Sequence, residues 1–286
     1  MKTVLLAASL TLLGAAAFAA TTINVPNQYA YGANVGWLNA RGDVANGASI
    51  GQSYCTGYVW SANCGWICLG NGPTNGWQYS NASSNDWGVN HDGLGNLTGY
   101  AYGANIGWIA FEPTQGQPRI DLRTGDFSGY AWGANVGWIG FSNALAFVQT
   151  DSLDPGPDTD HDGIPDPWEM QRAGNLPTLG GSYPDGDDAP DVDEYGADTD
   201  PLTGEHLEIV SLTETTGTNT ITWTARPTRQ YRLEATNAMP LAAGGWEDVG
   251  GGLLGPSAAN PAEAAIPLAG ATSKFYRVKA VLPLSE

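Results

Sequence analysis

The 286-residue sequence has few basic residues and few charged residues of any kind. It contains 11 lysine and arginine residues against 29 aspartate and glutamate residues, and charged residues make up only 14% of the chain. Because nucleic acids and anionic membrane surfaces attract lysine and arginine, this composition excludes them as partners. The 39 glycines and 11 tryptophans favour a mostly β protein with many turns over helical bundles or coiled coils.

Long apolar runs are absent except at the N-terminus. There the run from Thr3 to Ala20 ends in Ala17-Phe18-Ala19, the small-x-small pattern that signal peptidase accepts. We expect residues 1–19 to be a cleaved signal peptide, the alternative being an uncleaved N-terminal anchor. The sequence therefore predicts a secreted protein, extracellular or at the cell surface, with no membrane insertion after cleavage.

Cysteine is also scarce. The three cysteines, Cys55, Cys64 and Cys68, lie within one short segment. Export permits one disulfide and leaves one thiol free or paired with another chain. The sequence does not choose the pairing.

A sequence motif similar to Tyr-Ala-Trp-Gly-Ala-Asn-Val-Gly-Trp occurs four times in the predicted first domain, residues 20–148. The period is about thirty residues, and an insertion near residues 71–86 lengthens one interval. Such repeats indicate stacked β units, and we predict a three-stranded meander for each. Both faces of the return strand are apolar, so we expect both faces to be covered.

The repeated aromatic and asparagine side chains each have two interpretations. The aromatic rings either form the core or expose a stacking platform for sugar rings, with Trp108, Trp132 and Trp138 as candidate ligand-stacking residues. The asparagines either form a hydrogen-bonded ladder between repeats or shape each turn, because asparagine and glycine tolerate the left-handed region. They are Asn34, Asn63, Asn105 and Asn135.

A predicted connector, residues 149–204, contains most of the acidic residues. The segment 158–169 fits the EF-hand-like loop D-x-[DN]-x-[DN]-G-x5-E. Oxygen ligands at these positions surround one Ca²⁺, with a glycine at the sharp turn and a bidentate carboxylate at the last position. The predicted ligands are Asp158, Asp160, Asp162, the Ile164 carbonyl, Asp166 and Glu169.

The segment from Asp158 to Pro201, with Trp168-Glu169 and then Glu194-Tyr195, resembles the thrombospondin type-3-like calcium repeats of secreted bacterial proteins. The resemblance implies one short helix and calcium-stiffened spacing between domains. A second loop departs from this pattern, because Tyr183 stands at the first ligand position and the glycine is missing. We expect this second site either to bind calcium more weakly or to depend on Asp198 and Asp200. Its predicted ligands are Asp185, Asp187, Asp191 and Glu194.

The last predicted domain, residues 205–286, has five strand-like segments separated by glycine, proline and asparagine. This rhythm predicts a small β-sandwich. Its order of aromatic residues, from Thr222-Trp223 to Phe275-Tyr276, resembles fibronectin type III-like modules, which implies a spacer or docking role. Most basic residues lie here and either orient the domain against the acidic connector or serve only as solubilising charge.

No nucleophile elbow, phosphate loop or dinucleotide fingerprint occurs in the sequence. Glu112, Asp121 and Asp92 are the only carboxylates in the repeats that suit a glycoside hydrolase, so we expect no enzyme. The leading hypothesis is a secreted calcium-binding surface or matrix protein that adheres or self-assembles through exposed strand edges of the repeat domain. The alternative is a carbohydrate-binding protein whose repeat aromatics contact a cell-surface glycan.

Overall fold

The computed structural model describes residues 21–180, 185–215, 217–237, 245–256, 259–267 and 275–285. The chain is mostly β, as predicted, with two short helices in these ranges. The predicted signal peptide, residues 1–19, lies outside the described residues.

The N-terminal part contains fourteen strands, of which eight form the wall of an antiparallel barrel. The wall strands are β1, β2, β5, β6, β8, β9, β12 and β13. In chain order the fourteen strands are β1 (Ile23–Gly32), β2 (Gly36–Asn39), β3 (Ser49–Ile50), β4 (Cys55–Thr56), β5 (Tyr58–Ser61), β6 (Gly65–Cys68), β7 (Val89–His91), β8 (Leu97–Gly103), β9 (Gly107–Phe111), β10 (Arg119–Ile120), β11 (Phe127–Ser128), β12 (Tyr130–Gly133), β13 (Gly137–Gly140) and β14 (Val148–Thr150).

Each repeat forms a hairpin of two wall strands. The predicted three-stranded meander is wrong as the general unit, since the described wall sheet contains, besides the four hairpins, only β7, which pairs with β8, and β14, which pairs with β1. The last hairpin pairs with the first through Tyr31 opposite Gly140, which closes the sheet. The eight wall strands therefore leave no free edge among the described residues, and the edge pairing expected for self-assembly has no place there.

The two faces of the wall differ sharply. On the fourth hairpin, Ala131 and Ile139 point inward and are 1% and 3% exposed, whereas Trp132 and Trp138 are 41% and 42% exposed. The prediction that both faces are covered is wrong, and so is the assignment of the repeat aromatics to the core. Small and aliphatic side chains fill the interior because alternate residues of a strand point to opposite faces, and aromatic side chains coat the exterior.

Each hairpin turn contacts the neighbouring hairpin through its asparagine. The Asn63 amide donates to the Val35 carbonyl over 3.0 Å, and Asn34 donates to the Val136 carbonyl of the last repeat over 3.0 Å. Asn105 and Asn135 repeat this contact, so four side-chain bonds run around one end of the barrel. The left-handed residue of each turn is the glycine before tryptophan, such as Gly137 with φ +79°, and not the asparagine.

The three cysteines remain unpaired. Cys55 and Cys64 are buried, whereas Cys68 is half-buried on the wall. The single disulfide that export would permit is not formed.

The connector folds into two short helices, α1 (Asp166–Arg172) and α2 (Asp191–Ala197). Only one helix was predicted. Both helices follow a proline and carry acidic residues in the first turn, where negative charge complements the helix dipole. Gly196 weakens the helical pattern of α2, which explains why the sequence did not indicate it. Neither helix, and no other helix in the described ranges, is long and apolar enough to cross a membrane.

The C-terminal part is a sandwich of two three-stranded antiparallel sheets, as predicted. A common core that includes Trp223, Tyr231 and Leu233 joins the two sheets. One of the six strands, β19, was not predicted. The strands are β15 (Ile209–Thr215), β16 (Thr218–Trp223), β17 (Gln230–Thr236), β18 (Glu247–Asp248), β19 (Ala262–Pro267) and β20 (Phe275–Val281).

Candidate metal centres

The first acidic loop brings five of its predicted side-chain ligands together. Asp160 belongs to two overlapping groups of carboxylates whose oxygens all lie within 4.8 Å of one another within each group. Gly163 has a φ of +94° at the sharp turn, which is the conformation that glycine adopts without strain. The groups are Asp158, Asp160 and Asp166, and Asp160, Asp162 and Glu169.

Hydrogen bonds inside the loop fix the orientation of these carboxylates. Asp158 accepts from the main-chain N–H of His161 over 2.8 Å and from that of Gly163 over 3.1 Å. Asp162 accepts from the N–H of Ile164 over 2.8 Å through one oxygen. Its other oxygen is buried and has no hydrogen-bond partner, so one acceptor remains directed into the loop.

Glu169 is the strongest indication of a ligand at this loop. It is 0% exposed, and neither of its carboxylate oxygens has a hydrogen-bond partner. Burial, followed by the negative charge of Asp162 and Asp160, raises the pKa of Glu169 to about 8. An isolated buried carboxylate of this kind is costly unless a cation neutralises it.

The second loop has the same chemistry on a smaller scale. Oxygens of Asp185, Asp187 and Glu194 lie within 4.8 Å of one another. Glu194 is 1% exposed, one of its oxygens has no hydrogen-bond partner, and burial followed by the charge of Asp185 raises its pKa to about 7. Asp191 is buried and accepts from the N–H of Gly180 over 3.0 Å, so at least part of its carboxylate is engaged.

Two alternatives for the second loop have different outcomes. Tyr183, which stands at the first ligand position, lies outside the described residues. Asp198 is not a supplementary ligand, because it accepts from Trp168 Nε1 over 3.1 Å and from Arg172 Nη2 over 2.8 Å. Asp200 accepts from a main-chain N–H two residues ahead and belongs to neither cluster among the described residues.

Asp198 instead joins the connector to the sandwich. The hydroxyl of Thr228 donates to it, and the guanidinium of Arg229 lies 4.0 Å away. Burial raises the pKa of Asp198, but the positive charge of Arg229 and the hydrogen-bond donors overcome this effect and hold the pKa below its ordinary value. Its negative charge is therefore matched by positive charge at the centre of the junction.

Arg229 also closes the end of α2. Its side chain is 6% exposed, and it donates to the main-chain oxygens of Tyr195 over 2.7 Å and Gly196 over 2.9 Å. A cation at this position satisfies the free carbonyls at a helix C-terminus. Tyr195 in turn packs edge-on against Trp168 and shares hydrogen bonds with Gln52 beside the barrel. The sequence does not distinguish Arg229 from the other basic residues of the last predicted domain, because the contact is tertiary.

The aromatic coat of the barrel is a second candidate surface. Trp108, Trp132 and Trp138, the predicted stacking residues, are 45%, 41% and 42% exposed. The same ring pair occurs within every hairpin. The tryptophan of each return strand lies 4.7 to 5.0 Å from the ring directly opposite, with interplanar angles of 57° to 61°.

The three carboxylates that suited a hydrolase act as hydrogen-bond acceptors in turns. Glu112 accepts from Thr114 and from the N–H of Gln115. Asp92 accepts from Asn96, and Asp121 accepts from the N–H of Arg123. Each carboxylate is therefore accounted for by local structure.

Comparison of the chain with models of known protein families, with curated proteins and with solved structures gave no match. The fold and the candidate sites define the chain as a mostly β protein with two carboxylate clusters between a barrel and a sandwich. The resemblances to thrombospondin type-3-like and fibronectin type III-like segments remain expectations from the sequence.

Proposed function

We propose that the chain is a secreted, non-enzymatic surface or matrix protein in which two Ca²⁺ ions fix the geometry between the barrel and the sandwich. The observation that carries this proposal is the pair of buried glutamates, Glu169 and Glu194, which keep unpartnered oxygens directed into carboxylate clusters. Oxygen-only ligand sets suit Ca²⁺, whereas zinc and copper sites draw on histidine and cysteine.

The carboxylate clusters lie directly beside the contact between the connector and the sandwich. Each buried glutamate is adjacent in sequence to an aromatic residue of the junction, Glu169 to Trp168 and Glu194 to Tyr195. These two rings contact each other at 5.7 Å, and Asp198 and Arg229 bind beside them. Calcium that holds the two glutamates would therefore hold the two helices on which the junction is built.

The first experiment is a calorimetric calcium titration of the mature protein. The expected result is two ions bound, with dissociation constants of about 10⁻⁴–10⁻³ M, as in other extracellular modules. Glu169→Gln and Asp160→Ala should remove one ion and Glu194→Gln the other, whereas Asp193→Asn, an exposed neighbour on α2, should change nothing. No heat of binding, or unchanged titrations of the glutamine variants, would refute the proposal.

The second experiment tests the junction. At calcium a hundred times the dissociation constant, each site should stabilise the fold by about 2.7 kcal/mol. We expect chelation to expose the connector to protease and to increase the radius of gyration in X-ray scattering. Identical fragments and identical scattering with chelator and with calcium would mean that the ions do not set the geometry.

A second candidate function, carbohydrate binding by the barrel, is favoured by the exposed aromatic rings on its wall. Tyrosine and tryptophan combine an apolar ring with a polar donor, which suits ligands that are apolar on a face and polar at the rim. Binding on a glycan array that is weakened by Trp132→Ala, with an unchanged melting temperature, would support this role. Binding that Trp132→Ala leaves unchanged would count against it.

A further inference from the structure

The wall of the barrel aligns aromatic residues from neighbouring hairpins in rows. Tyr29 lies opposite Asn39 in its own hairpin, and Asn39 lies opposite Trp60 of the next hairpin. A small, half-buried residue is therefore flanked by two aromatic residues that stand two strands apart, or roughly 10 Å. We call such a row an inter-hairpin groove.

The closed sheet repeats this arrangement four times. In each groove the first tyrosine and the small residue come from one hairpin, and the second aromatic residue comes from the next. The grooves are Tyr29–Asn39–Trp60, Tyr58–Cys68–Tyr102, Tyr100–Ala110–Trp132 and Tyr130–Gly140–Tyr31.

The chain itself fills one of the four grooves. The insertion after the second repeat places the Asn71 amide oxygen 3.5 Å from Cys68 Sγ, over the centre of the second groove. Farther along, Trp87 packs against Trp108 and Tyr102, with ring centroids 5.0 Å and 6.1 Å apart. The contents of the filled groove are thus one flat ring and one polar group, both uncharged.

The other three grooves are open. Their first tyrosines, Tyr29, Tyr100 and Tyr130, are 37%, 41% and 51% exposed, and Tyr58 of the filled groove is less exposed. The contrast is confined to this first position, since Tyr102 of the filled groove is 38% exposed. In the fourth groove the small residue lets the tyrosine ring lie against the wall, since a Cβ on Gly140 would meet the Tyr130 ring at 3.1 Å. The tyrosine ring then forms the floor of the groove, and the aromatic residue of the next hairpin forms one of its sides.

Charge restricts the kind of occupant. The eight wall strands contain no aspartate, glutamate, lysine, arginine or histidine, although the chain carries a net charge of −18. An uncharged aromatic surface on an acidic protein has no group that pairs with a charged ligand, and it repels anionic polysaccharides. A neutral sugar has an apolar C–H face for the rings and hydroxyls for the tyrosine O–H and tryptophan N–H groups.

We propose that the three open inter-hairpin grooves are equivalent subsites for units of a neutral saccharide, so that one chain binds three saccharide segments at once. This inference rests on the carbohydrate-binding role proposed above and adds the place, the number and the neutral character of the sites. Because the grooves face different directions around a closed barrel, the chain cross-links polysaccharide instead of following a single strand of it. Cross-linking raises overall avidity without any new contact.

The test is calorimetry on the calcium-loaded protein with neutral hexasaccharides of glucose, mannose and xylose. We expect one of them to bind with a stoichiometry of three. Trp60→Ala, Trp132→Ala and Tyr31→Ala should each lower the stoichiometry to two and leave the dissociation constant of the remaining sites within twofold. Leu145→Ala, a control at an 85% exposed position, should leave three sites. Near-ultraviolet circular dichroism verifies the fold of each variant.

A further variant tests whether a site can be added as well as removed. Trp87→Ala combined with Asn71→Gly removes both the ring and the polar group from the filled groove and is expected to raise the stoichiometry to four. A stoichiometry of one, or three variants that lose all binding together, would overturn the inference while leaving carbohydrate binding intact. No binding of any neutral hexasaccharide would overturn both.

Discussion

The guanidinium of Arg229 donates to the main-chain oxygen of Tyr195 over 2.7 Å, which ties the sandwich to the helix that carries Glu194. Because Tyr195 is adjacent to Glu194 in the sequence, we expect this contact to be energetically coupled to the second carboxylate cluster. Coupling of this kind is reciprocal. If bound calcium strengthens the contact between the sandwich and α2, that contact must strengthen calcium binding by the same free energy.

We therefore expect Arg229→Ala to weaken calcium binding at the second cluster, although Arg229 is not a ligand. Removal of one partner of a buried ionic contact typically costs about 3–5 kcal/mol of stability. Calorimetry and thermal unfolding measure the two effects. Arg232→Ala, three residues farther along the chain but paired with Asp248 at the surface, is the control and should change little. Unchanged calcium affinity in folded Arg229→Ala would show that docking and metal binding are independent.

Glu169→Gln should have opposite effects with and without calcium. The glutamine cannot replace a bidentate carboxylate, so calcium no longer stabilises the first loop. In chelator the same substitution removes a buried carboxyl whose pKa is raised to about 8, and the variant should be more stable than the parent by about 2–3 kcal/mol at pH 7. Urea unfolding in both conditions measures the crossover. Glu112→Gln, at a solvent-exposed turn, should show none.

The second hairpin contains a matched pair of exceptions. Its turn has Ser61 and Cys64 where the other repeats have a glycine and a β-branched residue. A Cβ on Gly133 would lie 2.6 Å from Val136, so a side chain at the glycine position cannot coexist with a β-branched residue three positions later. Cys64 leaves room for the Ser61 side chain.

Accordingly, Cys64→Val alone should destabilise the barrel by about 1–3 kcal/mol through overpacking. The double variant Ser61→Gly with Cys64→Val restores the pair of the other repeats and should recover most of the loss. A double-mutant cycle by urea unfolding gives the coupling energy, expected at about 1–2 kcal/mol. Additive effects would contradict this account of the turn.

His91 predicts a pH dependence of stability. It is 1% exposed, its Nδ1 lies 2.9 Å from the Gly51 carbonyl, and its Nε2 accepts from the N–H of Gly95 over 3.1 Å. Burial lowers the pKa of His91, against a smaller opposing effect of the Gly51 hydrogen bond and of Asp92. The folded state thus binds the proton less well than the unfolded chain, whose histidine titrates near pH 6.5.

Stability in excess calcium should therefore be constant above about pH 6.5 and decrease as the pH falls toward 5.5. His91→Gln keeps one donor and one acceptor but does not titrate, so its stability should depend less on pH in this range. Denaturant unfolding at four or five pH values measures both curves. Parallel curves for the two proteins would remove His91 as the cause.

The sequence predicted the parts of the structure that depend on local pattern. The alternation around Trp132 indicated a hairpin strand, and the spacing from Asp158 to Glu169 indicated the first carboxylate cluster, because both are set by neighbours along the chain. The sequence left open whether the tryptophans point outward or into the core, and their size favoured the core. What decides it is the narrow interior of a closed barrel, which accepts residues such as Ala131 and Ile139 and has no room for indole rings.

Tertiary contacts account for the other misses. The end of α2 depends on Arg229, which lies more than thirty residues away, and no local pattern marks that arginine among its neighbours. Closure of the wall depends on the pairing of Tyr31 with Gly140 across the whole repeat domain. A period of about thirty residues indicates repetition but not whether the array is open or closed.

The asparagine bonds around the end of the barrel have an evolutionary consequence. Because Asn34 of the first hairpin binds the turn of the fourth, every hairpin has two neighbours and none is terminal. Linear repeat proteins lengthen by duplication of one unit at an end, whereas a fifth unit here would have to enter the closed ring. Because barrel diameter grows with strand number, a change in the number of hairpins would also change the size of the interior that every inward side chain fills.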